Sequence, residues 1–150
     1  TFSEMRTLLL WIGTMLAMSM SGWSQSLPPA AVIVGNNIGF EQLTEAQVRR
    51  CLRGEVSRWT GGSDLSVTVV LPSTRLPECE ATAQFLVSSP RPASLQKYWL
   101  GLVFEGRAKA PIFGQSQQDV LDAVLDKPGA LGIVYGISVP EEYRIEVVRE

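Results

Sequence analysis

Valine- and isoleucine-rich runs alternate along this chain with segments of helical periodicity, and that order points to an α/β fold. The run over residues 31–34 is continuously apolar and ends at Gly35-Asn36-Asn37, the pattern of a strand buried on both faces. Residues 65–71 form a second strand, with Leu65, Val67, Val69 and Leu71 on one face. A third covers residues 130–135, directly after the stop signal Lys127-Pro128-Gly129. Residues 143–148 alternate like an edge strand.

Four helices are expected between these runs. Thr44 and Gln47 are spaced as a capping box, and Leu43 and Val48 as a hydrophobic staple. The helix that follows carries Val48, Cys51 and Leu52 on one face and stops at Gly54. A second helix runs from about Pro77 to Val87, with Cys79, Ala83 and Leu86 at helical spacing. Ser94 is placed to cap a third, over 95–104, which buries Leu95, Trp99 and Leu102. Ser116 caps a fourth, with Asp119 at its third position and Val120, Val124 and Leu125 inward. The expected architecture is three layers: a largely parallel sheet flanked by helices. The aromatic residues Trp59, Tyr98, Trp99 and Phe104 are read as packing residues, and Arg49, Arg50 and Arg53 as a solvated basic face.

Composition narrows the chemistry. Within this chain there is no histidine and there are only two cysteines, so a Cys/His zinc site cannot be assembled and a histidine general base is lacking. A net charge of −2 offers no overall basic field for nucleic-acid phosphates. No acidic pair is spaced as a glycosidase couple. A non-enzymatic protein with no cofactor, no metal and no nucleic-acid partner is the expectation.

Residues 1–26 read as a secretory signal. Met5-Arg6 opens an uncharged apolar run, and Ser24 and Ser26 occupy the −3 and −1 positions of a cleavage after Ser26. The run is shorter than the roughly 20 apolar residues of a membrane span, so any membrane attachment would be through an uncleaved signal. A single domain over 27–150, periplasmic or secreted, follows. Export makes Cys51 and Cys79 a candidate disulfide; two separately buried thiols are the alternative.

Several segments recur in an order that carries a resemblance: Asn36-Asn37, Leu43-Thr44, Leu52-Arg53-Gly54, Trp59-Thr60-Gly61-Gly62, Phe85, Tyr98-Trp99, Phe104-Glu105-Gly106-Arg107 and the stretch over 127–134. The chain resembles the phosphate-type periplasmic solute-binding proteins of ABC transporters over about residues 31–136, as a short single-lobe member. That resemblance implies one lobe of a type II periplasmic binding protein, a small anion such as phosphate as ligand, and a transporter permease or a sensor protein as partner. The match is incomplete. Where phosphate binders resemble one another in an Arg-x-Asp-Gly-Ser-Gly-Thr loop, this chain reads Leu71-Pro72-Ser73-Thr74-Arg75-Leu76-Pro77, without the glycines or the aspartate.

Open α/β sheets bind ligands beyond the carboxyl ends of their strands, beside helix N-termini. Three segments are expected to meet there: Asn36 and Asn37; Ser73, Thr74 and Arg75; and Ser116 and Gln117. The functional expectation is an exported solute-binding-like module with weak small-oxyanion affinity. The alternative is a periplasmic interaction or sensor-accessory protein that has lost its ligand.

Overall fold

The computed structural model describes residues 26–149. The expected signal segment lies outside them, Ser26 excepted. The order is β1 (Ala31–Gly35), β2 (Gln42–Thr44), α1 (Glu45–Leu52), β3 (Thr68–Pro72), α2 (Glu78–Val87), α3 (Pro92–Phe104), β4 (Ile112–Gly114), α4 (Gln117–Asp126), β5 (Ala130–Tyr135) and β6 (Glu146–Val148). A 3₁₀ turn, Glu141–Tyr143, precedes β6.

The main sheet has four strands in the order β1-β5-β3-β4. Strand β3 is parallel to both β4 and β5. Strand β1 runs antiparallel to β5, with Ala31 opposite Tyr135 and Gly35 opposite Leu131. The fold is α/β, and the expected largely parallel sheet is corrected to a mixed one flanked by helices. An apolar run buried on both faces reads the same in either direction, so its composition carries no sign of its orientation. The expected edge strand shortens to β6, which pairs in parallel with β2 as a separate two-stranded sheet. An antiparallel bridge between Val34 and Arg144 and the bond from Ile145 N–H to the Ile33 carbonyl tie that segment to β1.

Alternation along the strands divides the core into two layers. Ile33, Leu71, Leu131 and Ile133 face the side of α1, α2 and α3, packing with Leu52 and Phe85. Val34, Val70 and Val134 face α4 and meet Val120, Leu121 and Val124. Complete burial of one such aliphatic side chain stabilises by about 1.5–3 kcal/mol before entropy is counted. Gly132 in β5 lets α4 approach: a Cβ there would stand 2.8 Å from Val124 Cγ2 and 3.1 Å from the Val70 carbonyl oxygen.

Local start signals are met where the side chain does the capping. Thr44 Oγ1 accepts from Gln47 N–H at 3.1 Å while Gln47 Oε1 accepts from Thr44 N–H at 2.9 Å, the reciprocal capping box. Ser116 Oγ accepts from Asp119 N–H at 3.0 Å. Helix α3 differs. It starts at Pro92, where the fixed φ of proline suits the first helical position, and Ser94 instead pairs its hydroxyl with that of Ser89 at 3.1 Å. In α4 the buried set is Val120, Leu121 and Val124, with Leu125 only half-buried. Phe104, expected in the packing, is 88 % exposed at the end of α3. It lies four residues past the exposed Leu100, on the face turned away from Leu95 and Trp99.

Arg53 also departs from a solvated role. It stacks 4.9 Å from the Tyr98 ring centroid and donates to the Leu86 carbonyl, while Tyr98 OH donates to the Arg53 carbonyl at 2.6 Å. Cys51 and Cys79 are both free thiols, buried in the same core layer.

Candidate functional site

The direction of β1 decides which expected site residues meet. Strands β3 and β4 end side by side, Pro72 opposite Gly114. Because β1 is antiparallel, its last residue Gly35 lies beside Leu131, near the start of β5. Asn36 and Asn37 therefore sit at the other end of the sheet, and the expected convergence of three segments is corrected to two. Asn36 has structural work there. Its Nδ2 donates to the Val124 and Leu125 carbonyls at 3.1 Å each, closing the last turn of α4, and its backbone pairs with Gly129 and Ala130. Asn37 is an exposed turn residue at φ +51°.

Ser73, Thr74 and Arg75 leave β3 at the same end of the sheet at which Ser116 and Gln117 follow β4. The Ser73 N–H donates to the Gly114 carbonyl at 2.9 Å, which extends the β3–β4 pairing and brings the two segments together. Most of the polar groups at this strand-end surface already have partners inside the fold. Ser73, only 6 % exposed, accepts the Arg75 N–H on its hydroxyl at 3.3 Å. Ser116 is occupied in capping α4. Asp119 brings its carboxylate to the start of α4, where it accepts the Gln115 N–H at 3.2 Å. A helix start favours negative charge, and here Asp119 supplies it. Gln117 Oε1 accepts the Tyr135 N–H at 2.9 Å, anchoring the end of β5, and leaves its Nε2 as a buried donor without a protein partner.

A second buried group lies close by. Tyr135 OH and Thr82 Oγ1 share a hydrogen bond of 2.9 Å, and burial pushes the Tyr135 phenol up to about 12, with Glu78 among the charges acting on it. A carboxylate near this end opposes an incoming anion. What remains for a ligand is the half-buried Thr74, the exposed Arg75 and the Gln117 amide.

Neither cysteine is tuned for thiolate chemistry. Burial raises Cys51 to about 11 and raises Cys79 as well, so both are protonated at neutral pH. Among the described residues no His/Cys/Asp/Glu group is gathered for a metal ion, and no helix is long and apolar enough to cross a membrane. Asp119 and Glu78 are the residues that a sequence reading misses as opponents of anion binding. Asp119 was legible as a helix N3 residue, whereas the position of Glu78 relative to Tyr135 depends on how α2 packs against β5.

In comparison with known proteins, no family model matches the chain and no curated protein matches it.

Proposed function

We propose that this protein is an exported, non-catalytic module of the solute-binding kind, similar to one lobe of a type II periplasmic binding protein. In this reading it offers small oxyanions such as phosphate a weak site at the ends of β3 and β4. The observation that supports the reading is that β3 and β4 end side by side, the Ser73 N–H bonded to the Gly114 carbonyl, so that Ser73, Thr74 and Arg75 share a strand end with Ser116 and Gln117, whose Nε2 donor is left over. Weakness follows from the same place. A helix start contributes typically 0.3–1 kcal/mol toward an exposed anion, and Asp119 already occupies this one. One exposed arginine and two neutral donors, on a surface that the described residues leave open to water, give a dissociation constant on the order of 0.1–1 mM. Calorimetry with phosphate and sulfate, on the parent chain and on Arg75→Ala, tests it. Weak binding abolished by Arg75→Ala supports the reading; micromolar binding by a demonstrated monomer overturns it.

A second reading rests on a different observation. Leu100, Val103 and Phe104 lie exposed on one stripe of α3, at 52 %, 38 % and 88 %. Such a stripe suits the apolar face of a permease or sensor partner, with ligand binding lost. Photo-crosslinking in the native cell envelope from positions 100 and 104, against position 122 on exposed α4 surface, discriminates. Adducts confined to the α3 stripe, together with silent anion titrations, favour this second reading; equal adducts from all three positions refute it.

A further inference from the structure

At the other end of the sheet from Ser73 and Ser116 lies a half-open cleft of ≈ 450 Å³. It runs between the segment joining α3 to β4 and the bridged pair of segments around Arg58 and Ser66, with Trp99 among the residues that line it. Among the described residues four cationic side chains line it: Arg58, Arg107, Lys109 and Lys127. Among the described residues no aspartate or glutamate does, although acidic residues outnumber basic ones by 15 to 13 in the whole chain. The volume falls within the range of small-molecule sites, roughly 300–1,000 Å³.

The four cations are not equivalent. Arg58 donates to the Asp64 carbonyl at 3.0 Å, and Arg107 pairs with Glu105 at 3.4 Å, both partners standing outside the lining. Lys109 and Lys127 make no side-chain hydrogen bond or ion pair with any described residue, so two ammonium groups at this cleft have their donors unused. Lys127 is also favourably placed at the carboxyl end of α4, where the negative pole of the helix welcomes a cation. That role requires one charge there. It does not account for Lys109, nor for the lack of acids among the described lining residues.

The rest of the lining sets the other half of the ligand. Val67 and Ile112 supply accessible apolar surface over the buried Trp99 and Val69, and the hydroxyls of Ser57 and Thr68 supply neutral donors and acceptors. Inorganic phosphate would use the cations and leave the apolar wall wet. We infer that this cleft binds a small organic dianion, a compact apolar body carrying a phosphate ester or two carboxylates. Lys109 and Lys127 hold the charge while the body lies against the apolar surface of Val67 and Ile112. This site is separate from the one at the ends of β3 and β4 and does not depend on it.

Phenyl phosphate is the probe, titrated calorimetrically into the full chain, with inorganic phosphate in parallel. Phenyl phosphate is expected to bind about tenfold more tightly than phosphate, because only the ester uses the apolar wall. Lys109→Ala and Lys127→Ala should each weaken it by about fivefold, the order expected for one solvent-exposed ion pair. Raising the salt should weaken it further, since the cations are exposed and screened. The double charge reversal Lys109→Glu/Lys127→Glu should abolish binding, while the two alanine variants give the same answer with less change of charge. Arg75→Ala, at the opposite end of the sheet, should leave phenyl phosphate affinity unchanged, which separates this proposal from the strand-end reading. No saturable binding of phenyl phosphate, equal affinity for inorganic phosphate, or an affinity indifferent to both lysines would each overturn it.

Discussion

Replacing Asn36 distinguishes a structural residue from a ligand contact. Its side-chain amide makes two hydrogen bonds of 3.1 Å to the Val124 and Leu125 carbonyls, in a half-buried position. A neutral intramolecular hydrogen bond contributes a net of about 0.5–1.5 kcal/mol, so Asn36→Ala should cost about 1–3 kcal/mol. The backbone bonds of Asn36 to Gly129 and Ala130 survive the change, which keeps the loss at the side chain. Asn36→Asp should be worse than the alanine variant. A carboxylate cannot donate to either carbonyl, and it places negative charge against the negative pole of α4, adding typically 0.3–1 kcal/mol. Urea denaturation of the parent and both variants at neutral pH measures the order, and a shared m-value shows that the unfolded reference is unchanged. Anion affinity at the strand-end surface should be the same in all three. An Asn36→Ala variant within about 0.5 kcal/mol of the parent, or an aspartate variant as stable as the alanine one, would refute the assignment of Asn36 as the closing residue of α4.

Alkaline pH should destabilise the fold through Cys51. The thiol is raised from 9.0 to about 11 by burial, so the unfolded chain releases this proton first and folding stability falls as pH rises between those values. Two pKa steps amount to about 2–3 kcal/mol at the upper limit; Cys51→Ala should flatten the pH profile between 9 and 11 in denaturation curves. Tyr135 continues the same trend up to about 12, and Tyr135→Phe should remove that part. Trp59 Nε1 donates to the Gly129 carbonyl at 2.8 Å in a buried position, so Trp59→Phe should lower stability by about 1–3 kcal/mol without altering anion binding. Gly132→Ala should cost a similar amount, about 1–3 kcal/mol by overpacking, because its Cβ would press on Val124 and the Val70 carbonyl; a neutral result in thermal denaturation would mean that α4 shifts freely.

Helix starts were legible wherever the capping group lies within one turn of its target. Thr44, Gln47 and Ser116 act on neighbours three residues away, and no distant part of the chain can change that spacing. The alternation of Val69, Val70 and Leu71 between two core layers was equally local, set by the two-residue period of a strand. Strands β2 and β4, three residues each, carried too little periodicity to be read and exist through their pairing with β6 and β3. Phe104 looked like core by composition, yet the phase of α3 leaves it in water. For the site, Ser73, Thr74, Arg75, Ser116 and Gln117 could be grouped in advance because open α/β sheets gather strand ends and helix N-termini at one edge. Asn36 could not be separated from them. The same apolar run makes a parallel or an antiparallel strand with equal burial, and only its pairing with β5 sends Asn36 to the far end of the sheet, onto the last turn of α4.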